Sequence, residues 1–302
     1  MRVSMFSRPM PYRISFILFL LFLLFSIRAR AQQKPWFFAV LSDPQMGMYA
    51  GDQNFAQESA NFEFTIANLN RLRPRFVVIC GDLVNRSGDV AEIADFKRIL
   101  KQLDPSIPVY NVPGNHDVGN TPDAATLSAY QAAFGPDHYT FSAEGLLGVV
   151  LDSNLIRSPE SAPQAAKEQE KWLRKILTGA SADPGQEVVV FQHIPYFLNT
   201  VDEGVNYFNI PEPARGKYLD LLKRAGVKYV FAGHFHRNAG GTDGPLTEIV
   251  TGAVGKPLGG SVSGFRLVSV DGKRLQSQWY CLGRIPNTIN PLQPLPAGCP
   301  QK

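Results

Sequence analysis

Short, nearly unbroken apolar runs punctuate the chain, and they restrict its possible folds more than any other feature. They fall at Phe37–Leu41, Phe76–Cys80, Val109–Val112, Leu146–Leu151, Glu187–Gln192 and Tyr229–Ala232. A strand with one wet face alternates apolar and polar residues. A run that is apolar at consecutive positions is a strand covered on both faces. Between these runs the apolar period changes to that of a helix. Phe62, Ile66 and Leu69 share one face of a segment over 55–72, which Pro74 prevents from continuing. Ile93, Phe96, Ile99, Leu100 and Leu103 do the same over 90–103, and further helices are expected near 164–177 and 218–225. The last third reads as strand and turn, at 247–251, 265–270 and 276–280. Such alternation predicts an α/β protein whose mainly parallel sheet is covered by helices. No internal repeat or long linker divides the chain, so one compact domain is expected.

Composition agrees. With 44% hydrophobic and 19% charged residues among 302, the chain has the profile of a globular protein and not of a disordered one. The first 31 residues differ from the rest. Arg2, Arg8 and Arg13 precede an apolar run from Ile14 to Ile27, and Ala29-Arg30-Ala31 follows as a small-x-small site. That order is expected of a secretory signal, cleaved before Gln32. The run falls short of the ~20 residues that span a bilayer, and an uncleaved anchor is the competing reading. The expectation is therefore a secreted or periplasmic protein with no stable membrane span after cleavage. Removing the five leader arginines leaves 25 basic against 26 acidic residues, so bulk charge does not point to nucleic acid. Export permits a disulfide. Cys281 and Cys299 are close enough in sequence to pair, whereas Cys80 lies in an apolar run and reads as a buried thiol. The segment 286–302 is Pro-rich and expected to be an irregular tail after a domain over 32–285.

Function is announced where the strands end. Five of the runs close in a polar signature: Ser42-Asp43-Pro44-Gln45, Gly81-Asp82-Leu83-Val84-Asn85-Arg86, Pro113-Gly114-Asn115-His116-Asp117, Gln192-His193-Ile194-Pro195 and Gly233-His234-Phe235-His236. Strand carboxyl ends converge on one crevice in an α/β sheet. Asp43, Asp82, Asn115, His193, His234 and His236 can therefore meet although they span most of the chain. Imidazole with carboxylate suits Zn, Fe, Mn or Co. A carboxylate such as Asp82 can bridge two cations, and a pair of cations about 3.5–4 Å apart can clamp a phosphate for in-line displacement. A lone His-x-His or Gly-Asp would mean little. Four of the five histidines falling in these signatures is the stronger observation.

Asp-x-Gln, Gly-Asp, Gly-Asn-His-Asp, His and Gly-His-x-His, in this order over about residues 36–282, resemble the calcineurin-like metallophosphoesterase family. The resemblance implies a four-layer αββα sandwich of two mixed sheets flanked by helices. It also implies a centre of two divalent ions (Mn, Fe, Mg or Zn). Asp43, Asp82 and His236 would hold the first ion, and Asp82, Asn115, His193 and His234 the second. His116 would face the phosphate as the acid for the leaving oxygen, with Asp117 as its orienting partner. The implied activity is hydrolysis of phosphate monoesters by a metal-bound hydroxide, on a phosphorylated small molecule or a phosphoprotein. Gln45 stands where the family usually has His; its amide oxygen is a harder, weaker donor and favours Mg, Mn or Fe over Zn at the first ion. Asp-Pro-Gln, His-Ile-Pro-Tyr-Phe and Tyr-Phe-Asn-Ile-Pro are similar to one subgroup, the calcineurin-like phosphoesterase domain-containing serine/threonine phosphatases.

Arg86 resembles the phosphate-binding arginine of the phosphoprotein phosphatases, although Asn85 precedes it where Asp is usual. A guanidinium fork suits two phosphate oxygens, and a solvated loop arginine is the alternative. Asn85-Arg86-Ser87 matches a glycosylation acceptor, discounted because a glycan there would sit in the cleft. Tyr207, Phe208 and Arg215 either line the cleft rim or pack their own loop. Two other functions remain open from the sequence: a phosphodiesterase or nucleotidase of the same fold, and a non-catalytic metal-binding protein.

Overall fold

The computed structural model describes Met1 and residues 34–181 and 185–300, so the expected leader lies outside the described residues. The elements run β1 (Trp36–Leu41), α1 (Ala56–Leu72), β2 (Val77–Ile79), α2 (Val90–Leu100), β3 (Val109–Asn111), α3 (Asn115–Val118), α4 (Ala124–Phe134), β4 (Tyr139–Ala143), β5 (Leu146–Val150) and α5 (Ser153–Arg157). They continue with α6 (Pro163–Ser181), β6 (Glu187–Phe191), α7 (Ala214–Arg224), β7 (Tyr229–Ala232), β8 (Ala239–Asp243), β9 (Leu246–Val250), β10 (Gly264–Asp271) and β11 (Arg274–Cys281).

Two mixed sheets result. The first has the order β11-β10-β1-β2-β3, and the second β4-β5-β6-β7-β9-β8. β1, β2 and β3 are parallel, as are β5, β6, β7 and β9; β10, β11, β4 and β8 join antiparallel. The continuous apolar runs are explained by a layer on each side of each sheet. In β1, Phe38 and Val40 point between the sheets, whereas Phe37, Ala39 and Leu41 pack with Phe62, Ile66 and Leu69 of α1 and Phe96 and Ile99 of α2. In β6, Val189 and Phe191 point between the sheets, while Val188 and Val190 meet Leu173 and Leu177 of α6 and Leu219 and Leu222 of α7. The period of two along a strand thus feeds two cores at once. Each such Val, Leu, Ile or Phe side chain contributes roughly 1.5–3 kcal/mol on burial. The four-layer αββα sandwich is confirmed. None of the described helices is long and apolar enough to cross a membrane.

Local chemistry sets several boundaries. Asp89 caps α2 by accepting from Ala91 N and Glu92 N, a contact worth about 1 kcal/mol. Arg73 ends α1 in the left-handed conformation, and Pro74 bars a further turn. Three elements lack a clear sequence signal. In α4 the apolar residues are spread around the helix, with an Asp123 cap as the one cue. β4 is short, and β8 carries Gly240-Gly241, residues poor in strands that are required here because a Cβ at Gly240 would lie 2.2 Å from Glu248 O. The segment after 285 has no regular element among the described residues, but it is not loose. Leu295 and Cys299 are buried, Tyr280 Oη donates to Pro296 O at 2.6 Å, and a Cys281–Cys299 disulfide fastens it to β11. Cys80 is a buried free thiol, as expected.

Candidate metal centre

Every candidate ligand follows the carboxyl end of a parallel strand. Asp43 follows β1, Asp82 follows β2, and Asn115 opens α3 after β3; His193 follows β6, and His234 and His236 follow β7. All six are buried, none more than 3% exposed. They form two clusters, Asp82 with His193 and His234, and Asp43 with Asp82 and His236. Within each cluster the ligand atoms lie within 4.8 Å of one another, and Asp82 belongs to both.

The hydrogen bonds around these side chains show what the clusters are built to hold. His193 Nδ1 donates to Cys80 O at 2.8 Å, so its Nε2 keeps a free lone pair in the neutral ring. Asn115 Nδ2 donates to Asn120 Oδ1 and Tyr207 Oη, both at 3.1 Å, which fixes its oxygen inward. That oxygen lies 3.0 Å from His193 Nε2, and Asp82 Oδ2 lies 3.3 Å from the same nitrogen. Three electron-pair donors thus converge on one point, an arrangement that requires positive charge. At the other cluster His236 Nδ1 donates to Lys256 O at 2.6 Å, leaving Nε2 3.3 Å from Asp43 Oδ1. Asp43 Oδ1 is buried and has no hydrogen-bond partner. His234 uses the opposite nitrogen: Nε2 donates to Tyr207 O at 3.1 Å, which leaves Nδ1 free. Each ring is thus oriented by a carbonyl, as is usual around metal sites.

The backbone carries the same signature. Asp43, Gln45, Asp82, His234 and His236 all have φ between 41° and 68°. Residues with side chains seldom adopt this left-handed region, and each costs on the order of 1 kcal/mol or more. Strain concentrated at the ligands buys their convergence. Gly114 serves the same end by close approach: a Cβ there would lie 2.0 Å from Asp82 N and 2.1 Å from Asp82 Oδ1.

Charge follows from this crowding. Burial opposes ionisation of Asp82, but the adjacent His193 overrides it and holds the carboxyl well below the usual range. Burial likewise opposes the His193 imidazolium, and Asp82 overrides it, raising that pKa to about 9. Burial, then the charge on His193, holds His234 down at about 3. The donor set, the orphaned oxygens and the strained turns fit two divalent cations sharing Asp82.

Gln45 is buried beside Asp43. Its Nε2 donates to Asn85 Oδ1 at 3.0 Å, and its Oε1 is buried without a partner, as an oxygen ligand would be. Asn85 Nδ2 donates to Asp52 Oδ1 at 2.6 Å, which ties this loop to the one after β1. His116 sits outside both clusters. Its backbone N donates to Asp82 Oδ1 at 2.9 Å, and its Nδ1 donates to Asn85 O at 2.7 Å.

Two expectations require correction. Asp117 does not hold the His116 ring. Its carboxylate accepts from Leu83 N at 2.9 Å, Val84 N at 3.2 Å and Gly114 N at 2.8 Å, tying the Asp82 loop to the Asn115 loop. The Asn85 carbonyl takes the part assigned to it. Arg86 does not stand free to grip phosphate. Its guanidinium pairs with Asp89, the cap of α2, and its Nε lies 3.4 Å from Glu92 Oε1 on that helix and 3.6 Å from Asp52 Oδ2 on the loop before α1. The rim question divides. Arg215 is buried and donates to Ile210 O, Val201 O and Glu203 O, so it packs its loop. Tyr207 lies tilted against His234, with ring centroids 4.9 Å apart, and Phe208 lies 5.6 Å from the same ring. Sequence reasoning passed over Ser42, whose hydroxyl donates to Asp43 Oδ2, although it adjoins a ligand. It also passed over Asn120 and Ser153, which no spacing marks; Ser153 Oγ accepts from Ile194 N at 2.8 Å.

Comparison with known proteins agrees. The calcineurin-like phosphoesterase family model matches residues 38–238. The human serine/threonine-protein phosphatase CPPED1 is 36% identical over 267 residues, covering 83% of this chain and 85% of that protein. A dimetal phosphatase from Danio rerio superposes with a TM-score of 0.59 at 17% identity, over 82% of this chain and 96% of that one. Purple acid phosphatase PPD1 from yellow lupin gives 0.61 at 15% identity, over 83% and 52%. These two show the fold, and the sequence matches show the lineage. With two acid-imidazole clusters joined through one aspartate at the ends of both sheets, the chain is a hydrolase that belongs to the calcineurin-like phosphoesterase family.

Proposed function

We propose that this protein is a metal-dependent phosphatase of phosphate monoesters, phosphoproteins included, working outside the cytosol. The observation that carries the reading is the pair of clusters sharing Asp82, with His116 beside them but committed to neither. Asp43, Asp82 and His236, with Gln45 Oε1, would hold the first ion; Asp82, Asn115, His193 and His234 would hold the second. When bound, two divalent ions supply charge to the phosphoryl oxygens and make water acidic enough to attack near neutral pH. An oxygen from Gln45 in place of an imidazole favours Mn, Fe or Mg at the first position.

The chain's own residues supply the rest. Asn85 O fixes the His116 ring through Nδ1–H and leaves Nε2 free; with both nitrogens protonated, Nε2–H would hand its proton to the departing oxygen. Asp117 holds two ligand loops in register, which keeps that geometry from drifting. Tyr207 and Phe208 cover His234 and limit water on that side. The monoester preference and the phosphoprotein substrate are supported by the human relative, which is named a serine/threonine-protein phosphatase. Export is supported by the Arg-apolar-small leader and, independently, by the Cys281–Cys299 disulfide, which belongs to an oxidising compartment.

The test is metal analysis of purified protein beside rates on nitrophenyl phosphate and its bis-ester. Up to two ions per chain and faster cleavage of the monoester are expected, both lost after chelation and restored by reloading. Faster cleavage of the bis-ester would make the protein a phosphodiesterase. Metal retention without cleavage of either ester would refute catalysis.

A further inference from the structure

We infer that Arg157, with Tyr207 beside it, is the substrate-binding arginine of this site and meets an anionic oxygen of the phosphorylated substrate. The inference rests on the phosphatase reading and extends it to a residue that no signature marks.

Arg157 ends α5, and that short helix is anchored to both halves of the metal centre. Ser153 Oγ accepts from His193 N at 3.2 Å and Ile194 N at 2.8 Å. Asn154 Nδ2 donates to Pro113 O at 3.3 Å, at the start of the Asn115 loop. The helix is therefore fixed relative to ligands from each sheet. The Arg157 guanidinium carbon stands 5.5 Å from the centroid of the Tyr207 ring. The hydroxyl of that ring accepts from Asn115 Nδ2 at 3.1 Å, and its carbonyl accepts from His234 Nε2. One aromatic ring thus separates Arg157 from two metal-ligand side chains.

Among the described residues no carboxylate pairs with Arg157 and no hydrogen bond engages it; its Nε is buried and unpartnered. Arg86 is the opposite case, held by Asp89, Asp52 and Glu92. A planar cation set over a ring, with no hydrogen-bond or ionic partner among the described residues, is placed to bind two oxygens of a phosphate or a carboxylate. Arg157 also lines a groove of about 540 Å³, with Pro159, Lys167, Pro211, Pro213 and Tyr218. The anion it meets is either the outward oxygen of the scissile phosphoryl group or an acidic group next to it on the substrate.

The test compares metal-loaded wild type, Arg157→Met, Arg157→Lys and Tyr207→Phe, with metal content and melting temperature measured on each. Inorganic phosphate binding is followed by calorimetry. Rates are measured on nitrophenyl phosphate and on a phosphoserine peptide with and without an adjacent Asp. Losing a charge-assisted contact should weaken binding about 10- to 100-fold. If Arg157 meets the scissile group, Arg157→Met weakens phosphate binding by that factor and raises KM on all three substrates. If it meets the neighbouring acid, phosphate binding holds and KM rises for the Asp-bearing peptide alone. In both cases Arg157→Lys recovers part of the loss, and Tyr207→Phe, which keeps the ring, costs less than Arg157→Met. Wild-type phosphate affinity together with wild-type KM on all substrates in Arg157→Met would overturn the inference and leave the phosphatase reading standing. A wild type that neither binds phosphate nor cleaves any ester would overturn both.

Discussion

Glu248 offers a measurement that isolates one buried group. It lies on β9, 1% exposed, and its carboxyl accepts from Tyr196 N at 3.0 and 3.1 Å and from Phe197 N at 3.2 Å. These are the third and fourth residues after His193, so Glu248 steadies the chain leaving a metal ligand. Burial raises its pKa, the two backbone N–H groups only partly oppose this, and the value reaches about 8 from an ordinary 4.5. The sign is unusual for a carboxyl. Below about pH 4.5 both folded and unfolded chains hold the proton, and the group costs nothing. Between about pH 4.5 and 8 the unfolded chain releases it and the folded chain keeps it, so stability falls as pH rises. The slope is about 1.4 kcal/mol per pH unit. Glu248→Gln retains an acceptor oxygen for Tyr196 N and cannot ionise. Denaturant unfolding of both proteins, at matched metal content, should show the variant gaining on wild type by about 4 kcal/mol from pH 5 to pH 8. Subtracting the two curves cancels the titrating groups that do not interact with Glu248. A difference independent of pH would show that Glu248 ionises normally in the folded protein, and the reasoning from burial would fail.

Three further outcomes are expected. Gln45→His should tighten the first ion and shift its preference toward Zn, read by competitive metal titration; identical affinities and metal order would mean that Gln45 does not face the ion. His116→Asn should lower turnover by about 10²–10⁴-fold, the usual scale for a lost proton donor, with both ions retained. The loss should be greater on phosphoserine than on nitrophenyl phosphate, whose leaving group departs without a proton; equal losses would make His116 a phosphate binder instead. Gly114→Ala should cost metal before it costs fold, because its Cβ would collide with Asp82 N and Oδ1; elemental analysis finding two ions per chain would refute this.

The ligands were legible because burial leaves them few explanations. Asp43, Asp82, Asn115, His193, His234 and His236 each interrupt an apolar run at its carboxyl end, and parallel strands bring those ends together. The sandwich was legible from the resemblance, and the runs themselves spoke only for covered parallel strands. Partner choice was not legible. Whether Asp117 or the Asn85 carbonyl holds His116 depends on how two loops cross, and neither loop's composition decides it. Arg86 carries a motif and is neutralised by acids on the following helix; Arg157 carries none, on a five-residue helix too short to show a period. α4 escaped because its apolar residues do not share one face.

The division of ligands between the sheets has a consequence for biogenesis. The oxygen donors Asp43, Asp82 and Asn115 belong to the first sheet, and the imidazoles of His193, His234 and His236 to the second. An emerging chain therefore presents a loose set of oxygens long before it presents a nitrogen. Even that first sheet waits, because β1 lies between β2 and β10, and β10 is synthesised more than two hundred residues later. A chain that ends before His234 can assemble neither cluster in full. Ion capture is thus one of the last events in maturation, and the metals that fill the site are those of the compartment where the chain finishes folding.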